Sequence, residues 1–391
     1  MKLFIVNAGS SSLKFQLIHA HKRFDTLYEG IVDGIGRASC FFEASAGKKH
    51  THYKKRIPKH ARALKEAINI LFEFGVVDSL KEIDAVGHRV VHGGEKYSKA
   101  TKLTKPVIQN IEALSEIAPL HNPANLEGIY AAKEYIKHAP HIAIFDTAFH
   151  QTLPEKAYRY AVPREWYTTY HIRKYGFHGT NHRYVAHQTY NHLGKNKGKI
   201  ITCHLGNGSS ISAIKDNVCI DTSMGFTPLE GIPMGTRSGS IDPALPLYMT
   251  EKLNIDTNKM DTLLNNKCGI LALSEKSSDV RDIWAKAQKK NKKACFTLEK
   301  LAYDIALKIG SYAAALNGLD ALSFTAGIGE NAWYLRRDIC SYLSHLGITL
   351  DSRKNRANST AIHDKKSSVH VLVIKANEGK QMAREIAHYL Q

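Results

Sequence analysis

Two arginines of this chain lie in short segments rich in glycine, and both could bind an anionic group. Arg89 lies within Gly87–Gly94, and Arg237 lies within Gly235–Gly239. A guanidinium presents a planar fork of donors that suits a carboxylate or a phosphoryl group. A structural role is the alternative for either arginine taken alone. The pair indicates a site that binds small anions.

Two carboxylates and one histidine are the next candidates for chemistry. Asp146 follows the apolar segment 141–145, and Glu378 begins the last predicted helix, directly after Asn377. Carboxylates at the ends of strands or helices suit a hard cation such as Mg²⁺, although Glu378 could equally cap its helix. His178 is one of 21 histidines, and most histidines in a chain are surface or core residues.

Three turns rich in small residues follow predicted strands, at 8–12, 206–210 and 326–331. Turns of this kind expose backbone N–H groups that bind phosphate oxygens, while an ordinary tight turn is the alternative for each. The chain lacks the G-x-x-x-x-G-K-[ST] pattern of a P-loop. Residues 327–332 match the loose dinucleotide pattern G-x-G-x-x-A, but a Rossmann fold usually places that pattern in its first unit. Phosphate binding is the better interpretation.

The elements around these residues alternate between strand-like and helix-like patterns, which is typical of an α/β protein. Gly9-Ser10-Ser11 and Gly208-Ser209-Ser210 each lie in a strand–loop–strand context, 199 residues apart. This spacing predicts an internal duplication. Asn7 ends the first strand and Lys14 lies on the second, where either could reach a ligand at the strand ends.

The composition excludes several classes of protein. The chain has 391 residues, of which 43% are hydrophobic and 23% charged; this is a globular composition that suggests two or three domains of about 150 residues. The apolar run at its start is too short for a secretion signal, so we expect a cytoplasmic protein without a membrane partner. The six cysteines show no disulfide or zinc pattern. The net charge of +18 comes without a nucleic-acid-binding motif.

Taken together, these segments resemble the acetate kinase family. The blocks that carry the resemblance occur in order over almost the whole chain: Asn7–Lys14, Gly87–Gly94, Pro119–Pro123, Phe145–His150, Tyr175–Thr180, His204–Ala213, Met234–Gly239, Gly327–Asn331 and Asn377–Glu378.

The resemblance implies the fold and the assembly. Members of this family, which belongs to the superfamily of sugar kinases, actin and heat-shock chaperones, have two duplicated ribonuclease H-like domains around a central nucleotide cleft. We therefore expect an N-terminal domain at 1–147, a C-terminal domain for nucleotide binding and dimerisation at 148–377, and a last helix, 378–391, that packs on the first domain. We also expect a homodimer.

The resemblance also implies a reaction, the reversible and direct in-line transfer of a phosphoryl group from ATP to acetate. It requires Mg²⁺, for which Mn²⁺ can substitute. Arg89 would hold the acetate carboxylate, and Arg237 and His178 would stabilise the transferring group. Asp146 is the usual catalytic acid/base, but acetate is already ionised at pH 7 and needs no base. Asp146 would then orient Arg89 or a metal-bound water.

The remaining residues take their expected roles from the same resemblance. Asn7 and Glu378 would position the metal. Lys14 and the hairpin residues would contact nucleotide phosphates, namely His204, Leu205, Gly206, Asn207 and Gly208. Ribose and adenine would bind to Asp279, Val280, Arg281, Gly327, Ile328, Gly329, Glu330 and Asn331. The methyl group of acetate would bind against Val91, Leu120, Phe177 and Pro228.

Four positions depart from the pattern expected for this family. They are Asn181 in place of serine, Asn217 in place of glycine, Ser240 in place of aspartate and Gly379 in place of an acidic residue. The serine at 240 could deprive Arg237 of a partner. Two other functions remain open: a nucleotide-dependent switch that has no acid substrate, and nucleic-acid binding through the positive charge. Acetate and propionate are not distinguished, because one methylene group changes binding by only about 1–3 kcal/mol.

Overall fold

The computed structural model describes residues 1–21 and 23–391. These residues form two compact units: unit 1 comprises Met1–Gln151 and Asn377–Gln391, and unit 2 comprises Thr152–Ala376. The strands are β1 (Lys2–Gly9), β2 (Ser12–His19), β3 (Asp25–Asp33), β4 (Cys40–Ala46), β5 (Lys49–Lys55), β6 (Ala85–Val90), β7 (Thr101–Lys102), β8 (His141–Phe145), β9 (Lys199–Leu205), β10 (Ser209–Lys215), β11 (Val218–Thr222), β12 (Ala321–Thr325) and β13 (His370–Val373).

The helices flank these strands in the sequence. They are α1 (His60–Glu73), α2 (Lys105–Ala113), α3 (Asn122–Tyr135), α4 (Glu155–Tyr158), α5 (Arg164–Thr168), α6 (Gly179–Leu193), α7 (Ala244–Leu253), α8 (Thr257–Asn266), α9 (Gly269–Ser274), α10 (Val280–Ala287), α11 (Lys292–Leu316), α12 (Ala326–Asn331), α13 (Trp333–Ser341), α14 (Ser352–Arg356) and α15 (Glu378–Leu390). No helix among the described residues has both the length and the apolar character needed to cross a bilayer.

Unit 1 is built on one mixed sheet with the strand order β5-β4-β3-β2-β1-β6-β8-β7. Strands β1, β6 and β8 run parallel, while β1 to β5 form an antiparallel meander. Because side chains alternate along a strand, β1 has two apolar faces. Phe4 and Val6 pack with α1 and α3, whereas Leu3 and Ile5 pack with the α15 residue Ile386.

Unit 2 has a second sheet with the order β11-β10-β9-β12-β13. Strands β9, β12 and β13 are parallel, and β9, β10 and β11 are antiparallel. The long helix α11 covers one face, where Leu301 and Ile305 share a core with Ile201 of β9. Helix α6 packs on the same sheet, and its Thr189 hydroxyl lies 2.7 Å from the Ser323 hydroxyl of β12.

The two sheets share one topology. The order β3-β2-β1-β6-β8 in unit 1 corresponds strand for strand to β11-β10-β9-β12-β13 in unit 2. In both units, a hairpin joins the first two strands, and two further strands add in parallel to the first. The prediction of duplicated α/β units is therefore confirmed.

One of the three predicted turns was wrong, because residues 326–331 form the short helix α12. Asn122 is the first residue of α3, and its side-chain oxygen accepts from the His92 N–H. On α15, Met382 and Ile386 are buried, whereas Leu390 is 38% exposed at the helix end.

Candidate functional site

In unit 1, four polar side chains meet at one edge of the sheet. Asn7, Arg89 and Asp146 lie near or just beyond the ends of β1, β6 and β8, and parallel strands bring their carboxyl ends to the same edge. The Arg89 Nε and Nη2 lie 3.0 and 2.5 Å from the Asp146 Oδ2. The Arg89 Nη1 donates to the Asn7 Oδ1 at 3.2 Å. Glu378 joins them from the first turn of α15, with its Oε2 3.8 Å from the Arg89 Nε.

The charge balance of this cluster keeps Arg89 ionised. Burial by itself lowers the pKa of the Arg89 guanidinium, but the carboxylates of Asp146 and Glu378 outweigh it and raise that pKa. Asp146 is only 1% exposed, and one of its oxygens accepts two guanidinium N–H groups. Its carboxylate therefore fixes the direction of the arginine fork, which supports the expectation that Asp146 orients Arg89.

Asn7 and Glu378 carry oxygen donors of the kind that a hard divalent cation prefers, and in this structure the Asn7 Oδ1 accepts from Arg89. The Asn7 Nδ2 lies 3.4 Å from the Glu378 Oε2, so an amide and a carboxylate lie side by side. Within residues 1–21 and 23–391, no group of three or more His, Cys, Asp or Glu side chains could form a metal cage. Mg²⁺ usually takes one or two protein ligands and completes its shell with water and phosphate oxygens. The residues present suit Mg²⁺ better than a metal that needs a full protein cage.

Two asparagines of α3 hold the backbone around this cluster. The Asn125 Oδ1 accepts from the Val91 N–H at 2.9 Å, and its Nδ2 donates to the Ala8 carbonyl at 2.7 Å. Asn122 accepts from the His92 N–H and donates to the His92 carbonyl. These side chains connect the segment after Arg89 to the hairpin after Asn7. Neither hydrogen-bonding role could be read from the sequence, because these bonds join residues far apart in the chain.

The hairpin that follows Asn7 is held from its other side by His60. The His60 Nε2 lies 2.7 Å from the Gly9 carbonyl oxygen, and its Nδ1 lies 2.6 Å from Glu127. Lys14 is paired with Asn7 across β1 and β2, and its side chain is exposed. The lysine is therefore available to an anion at this hairpin.

In unit 2, the second hairpin brings a histidine and an arginine together. A Cβ added at Gly208 would lie 3.4 Å from both the His178 Nε2 and the Arg237 Nη1. The absence of a side chain at Gly208 thus leaves both nitrogen atoms next to the hairpin backbone. Asn207 approaches Gly235 so closely that a Cβ there would lie 2.0 Å from its Oδ1. The hairpin and the arginine segment form one packed cluster.

Arg237 is a half-buried cation without a carboxylate partner in the described part of the chain. Its Nη1 contacts only the Pro228 carbonyl at 3.4 Å and the Met234 sulfur at 3.7 Å. Burial lowers the pKa of the guanidinium. Ser240, where an acidic partner was expected, instead joins its hydroxyl to the Gly231 N–H at 3.0 Å. A guanidinium in this state is well suited to neutralise an incoming anion.

His178 lies directly before α6 in a left-handed backbone conformation, with φ 58°. Its ring stacks on the His204 ring, with centroids 4.1 Å apart and planes within 15°. His204 and Leu205 end β9, and Gly206 accepts a hydrogen bond from the Ser209 hydroxyl at 3.0 Å. These hairpin residues lie together, and phosphate binding by them stays a prediction.

The residues expected to hold ribose and adenine are engaged in local contacts. Asp279 caps α10 by accepting from the Arg281 N–H, and it pairs with the exposed Arg281 guanidinium at 2.6 Å. The Glu330 Oε1 accepts from the Ala326 and Ala376 N–H groups, each at 2.9 Å. Asn331 donates to the Gly327 carbonyl at 2.9 Å.

An open cleft of about 720 Å³ lies beside Glu330 and Asn331 in unit 2. Neither Asp279 nor Arg281 lines it, so the two groups of predicted nucleotide residues do not share this cleft. The predicted methyl-binding residues are divided between the units. Val91 and Leu120 belong to unit 1, where Leu120 is 52% exposed, and Phe177 and Pro228 belong to unit 2.

Comparisons with known proteins cover the whole chain. A sequence model of the acetokinase family matches residues 2–384. A Thermotoga maritima protein named acetate kinase is 48% identical over 394 residues, which is 98% of each chain. The crystal structure of Porphyromonas gingivalis acetate kinase has a TM-score of 0.92 and 38% identity and covers 100% of both chains. That of a propionate kinase from Francisella tularensis has a TM-score of 0.93 and 38% identity and covers 98% of both.

Proposed function

The chain belongs to the acetokinase family, and from this premise we propose how its residues transfer a phosphoryl group from ATP to acetate. An oxygen of the acetate carboxylate forms a bond to the γ-phosphorus of ATP while the bond from that phosphorus to the bridging oxygen breaks. ADP leaves and acetyl phosphate forms. Because acetate is ionised at neutral pH, the protein must position two anions and neutralise charge, and no general base is needed.

Each cluster has a part in this scheme. Arg89 is oriented by Asp146 and binds the acetate carboxylate through the guanidinium N–H groups that are not bonded to Asp146 or Asn7. Arg237 and His178 donate to the equatorial oxygens of the transferring group. Asn7 and Glu378 would hold Mg²⁺, which would lower the charge repulsion between nucleotide and acetate. Lys14 and the hairpin that contains Gly208 bind nucleotide phosphates.

The finer assignments belong to the same proposal. Ribose and adenine bind to the segments 279–281 and 327–331, and Val91, Leu120, Phe177 and Pro228 limit the acyl chain. The protein divides into domains 1–147 with 378–391, and 148–377. The cytoplasm is the proposed compartment. The similarity to a structure described as a propionate kinase means that propionate must be tested beside acetate.

The observation that carries the proposal is the unpaired guanidinium of Arg237 beside the His178 Nε2 at the second hairpin. The direct test is ATP-dependent formation of acyl hydroxamate from hydroxylamine with acetate, propionate or butyrate. We expect turnover with acetate and a fall in kcat/KM as the acyl chain lengthens. ATP hydrolysis without hydroxamate would favour a nucleotide switch and contradict the proposal.

The carboxylate assignment is tested by Arg89→Ala. Loss of a charge-assisted pair should raise the KM for acetate about tenfold or more, because such hydrogen bonds contribute about 1.5–3 kcal/mol. ADP binding, measured by calorimetry, should remain. The control is Arg337→Ala, which removes an exposed guanidinium that pairs with Asp338. An unchanged acetate KM and kcat in Arg89→Ala would exclude this role.

We also propose a homodimer. None of the residues of α7 is buried, although Leu247 and Tyr248 are 71% and 57% exposed and Leu245 and Leu253 are about half exposed. An apolar helix surface of this kind favours association with another chain. Light scattering should give twice the mass of one chain, and Leu247→Asp should shift the protein towards the monomer. A wild-type monomer at micromolar concentration would contradict the proposal.

A further inference from the structure

A row of buried polar side chains lies behind the His178 ring in unit 2. The Ser210 hydroxyl lies 2.9 Å from the His178 Nδ1 and 2.7 Å from the His182 Nε2. The His182 Nδ1 lies 2.7 Å from the Thr202 hydroxyl. Ser210, His182 and Thr202, which we call the polar row, are each 0% exposed. The family assignments made above give none of the three a role.

The local sequence explains why the row forms. His178 directly precedes α6 and His182 lies in its first turn, and both side chains reach the Ser210 hydroxyl. Ser210 of β10 is paired with His204 of β9, and Thr202 lies two residues before His204 on the same face of that strand. Packing of α6 on this sheet face therefore brings hydroxyl and imidazole groups into a line.

The hydrogen bonds of the row can run in two directions. In the first, Thr202 donates to the His182 Nδ1, the His182 Nε2–H donates to Ser210, and Ser210 donates to the His178 Nδ1. A neutral His178 then carries its proton on Nε2, the atom that lies beside Gly208 and the Arg237 guanidinium. In the reverse direction, His178 donates from Nδ1 to Ser210, and a neutral ring offers only a lone pair at Nε2.

The stacked ring of His204 has a matching arrangement. The Asn181 Nδ2 lies 2.8 Å from the His204 Nδ1, and Asn181 is 0% exposed. In this orientation of the amide, the Asn181 Oδ1 is buried with no partner among the described residues, and its Nδ2 donates to the His204 Nδ1. A neutral His204 then carries its proton on Nε2 as well. Two imidazolium rings stacked 4.1 Å apart would repel each other. Neutral rings avoid this repulsion with either tautomer, and protons on Nε2 would in addition give two donors on the stacked pair.

We propose that Asn181 and the polar row are positioning residues that fix His178 and His204 as neutral donors at Nε2, directed to oxygens of the transferring phosphoryl group. The role of Nε2 in transfer rests on the proposed function; the proton positions do not. A donor that is already aligned before the anion arrives needs no reorganisation during the reaction. The same geometry gives Asn181, a departure from the family pattern, a defined task.

The first experiment reads the protons without any activity. Nitrogen NMR of the full chain with ¹⁵N-labelled histidine, with signals assigned through His178→Asn and His204→Asn, reports which ring nitrogen is protonated at pH 7.5. We expect Nε2–H for both rings. Asn181→Asp replaces the amide donor with an acceptor and should move the His204 proton to Nδ1. Finding Nδ1–H on neutral His178 or His204 in the wild type would overturn the proposal.

The second experiment tests the remote end of the row. Thr202→Val removes the hydroxyl with which the first direction begins, so the His178 proton should distribute over both nitrogens. The kcat should fall in proportion to the lost Nε2–H population, about twofold for an even distribution, because a ring without that proton lacks the transition-state donor, while the KM for ATP changes little. Thr202→Ser should restore both the proton position and kcat.

The matched control is Thr189→Val, which removes another buried hydroxyl of α6, one that is bonded to the Ser323 hydroxyl. It should lower stability comparably and leave the His178 proton and kcat unchanged. Equal losses of kcat in Thr189→Val and Thr202→Val, or an unchanged His178 signal in Thr202→Val, would overturn the proposal. A wild type without kinase activity would instead refute the proposed function, and the NMR result would still decide the proton positions.

Discussion

At the scale of single residues, the difference between Arg89 and Arg237 is a difference in partners. Arg89 is held by the Asp146 and Glu378 carboxylates, so its direction is fixed before a substrate binds. Among the described residues, the Arg237 Nη1 bonds to a carbonyl and a thioether. The charge of Arg237 is therefore less compensated than that of Arg89. An approaching phosphoryl group gains more electrostatic stabilisation from Arg237 for this reason.

Arg237→Lys should show this difference. Lysine keeps the charge but lacks the planar fork, so we expect kcat to fall about a hundredfold or more, with ADP affinity nearly unchanged. Steady-state kinetics and calorimetry with ADP provide the two measurements. Arg164→Lys, at an exposed position in the same unit, is the control. Near-normal turnover in Arg237→Lys would remove this residue from the mechanism.

His92 makes stability depend on pH. Its side chain is 0% exposed, and burial lowers its pKa to about 4, whereas the unfolded chain has the ordinary value near 6.5. Between these two pKa values, the unfolded state binds one more proton than the folded state. The stability that the neutral His92 contributes is therefore fully present above about pH 6.5 and is lost as the pH falls. At pH 5.0 this one group should cost about 2 kcal/mol relative to pH 7.5.

His92→Asn tests this dependence. The amide oxygen can replace the His92 Nδ1 that accepts from the Gly94 N–H at 3.0 Å, but it does not titrate. Urea unfolding at pH 7.5 and pH 5.0 should show a loss of stability that is smaller by about 2 kcal/mol in the variant. Equal losses in variant and wild type would contradict the assignment.

At the scale of elements, close helix packing on the unit 1 sheet depends on Gly128 in α3. A Cβ at this position would lie only 2.6 Å from the Ala8 Cβ, whereas a Cβ at Gly310 in α11 meets nothing within 4 Å. Gly310→Ala should therefore stabilise the protein by about 0.5–1 kcal/mol through helix propensity. Gly128→Ala should destabilise it by about 1 kcal/mol or more, because overpacking outweighs the same gain.

Urea unfolding of both variants supplies the measurement. Since each change is glycine to alanine inside a helix, the difference between the two variants isolates the contact between α3 and β1. A stabilising Gly128→Ala would show that the helix can move away from Ala8 without cost.

The sequence was sufficient for most of the elements and for the order of the motifs. Strand ends could be read from apolar runs for Asn7 and Asp146, whereas Arg89 was expected in a turning segment and lies in β6. The link of His178 to His182 through Ser210 could not be predicted, because it depends on how α6 packs on the sheet. The same holds for Asn125, whose partners Ala8 and Val91 are distant in the chain.

At the scale of the whole molecule, unit 1 is assembled from both ends of the chain. Ile386 of α15 is fully buried beside Leu3 and Ile5, and Gly87 leaves the space that its Cδ1 occupies. Ile386→Ala should lower the free energy of unfolding by about 2–5 kcal/mol. Leu390→Ala, at the exposed end of the same helix, should change it by less than about 0.5 kcal/mol.

Chemical unfolding of these two variants distinguishes a helix that completes a core from one that merely covers it. Equal and small effects would indicate that α15 contributes little to unit 1. The expected difference would show that unit 1 requires the last residues of the sequence for its stability.

This return of the chain affects how the protein is made. The hydrogen bond from Asn7 to Glu378 spans 371 positions, so all of unit 2 must be translated before that bond can form. Until then, the nascent chain carries Leu3 and Ile5 without the helix that covers them. The sheet of unit 1 can therefore complete its hydrophobic core only after the contiguous residues of unit 2 have been synthesised.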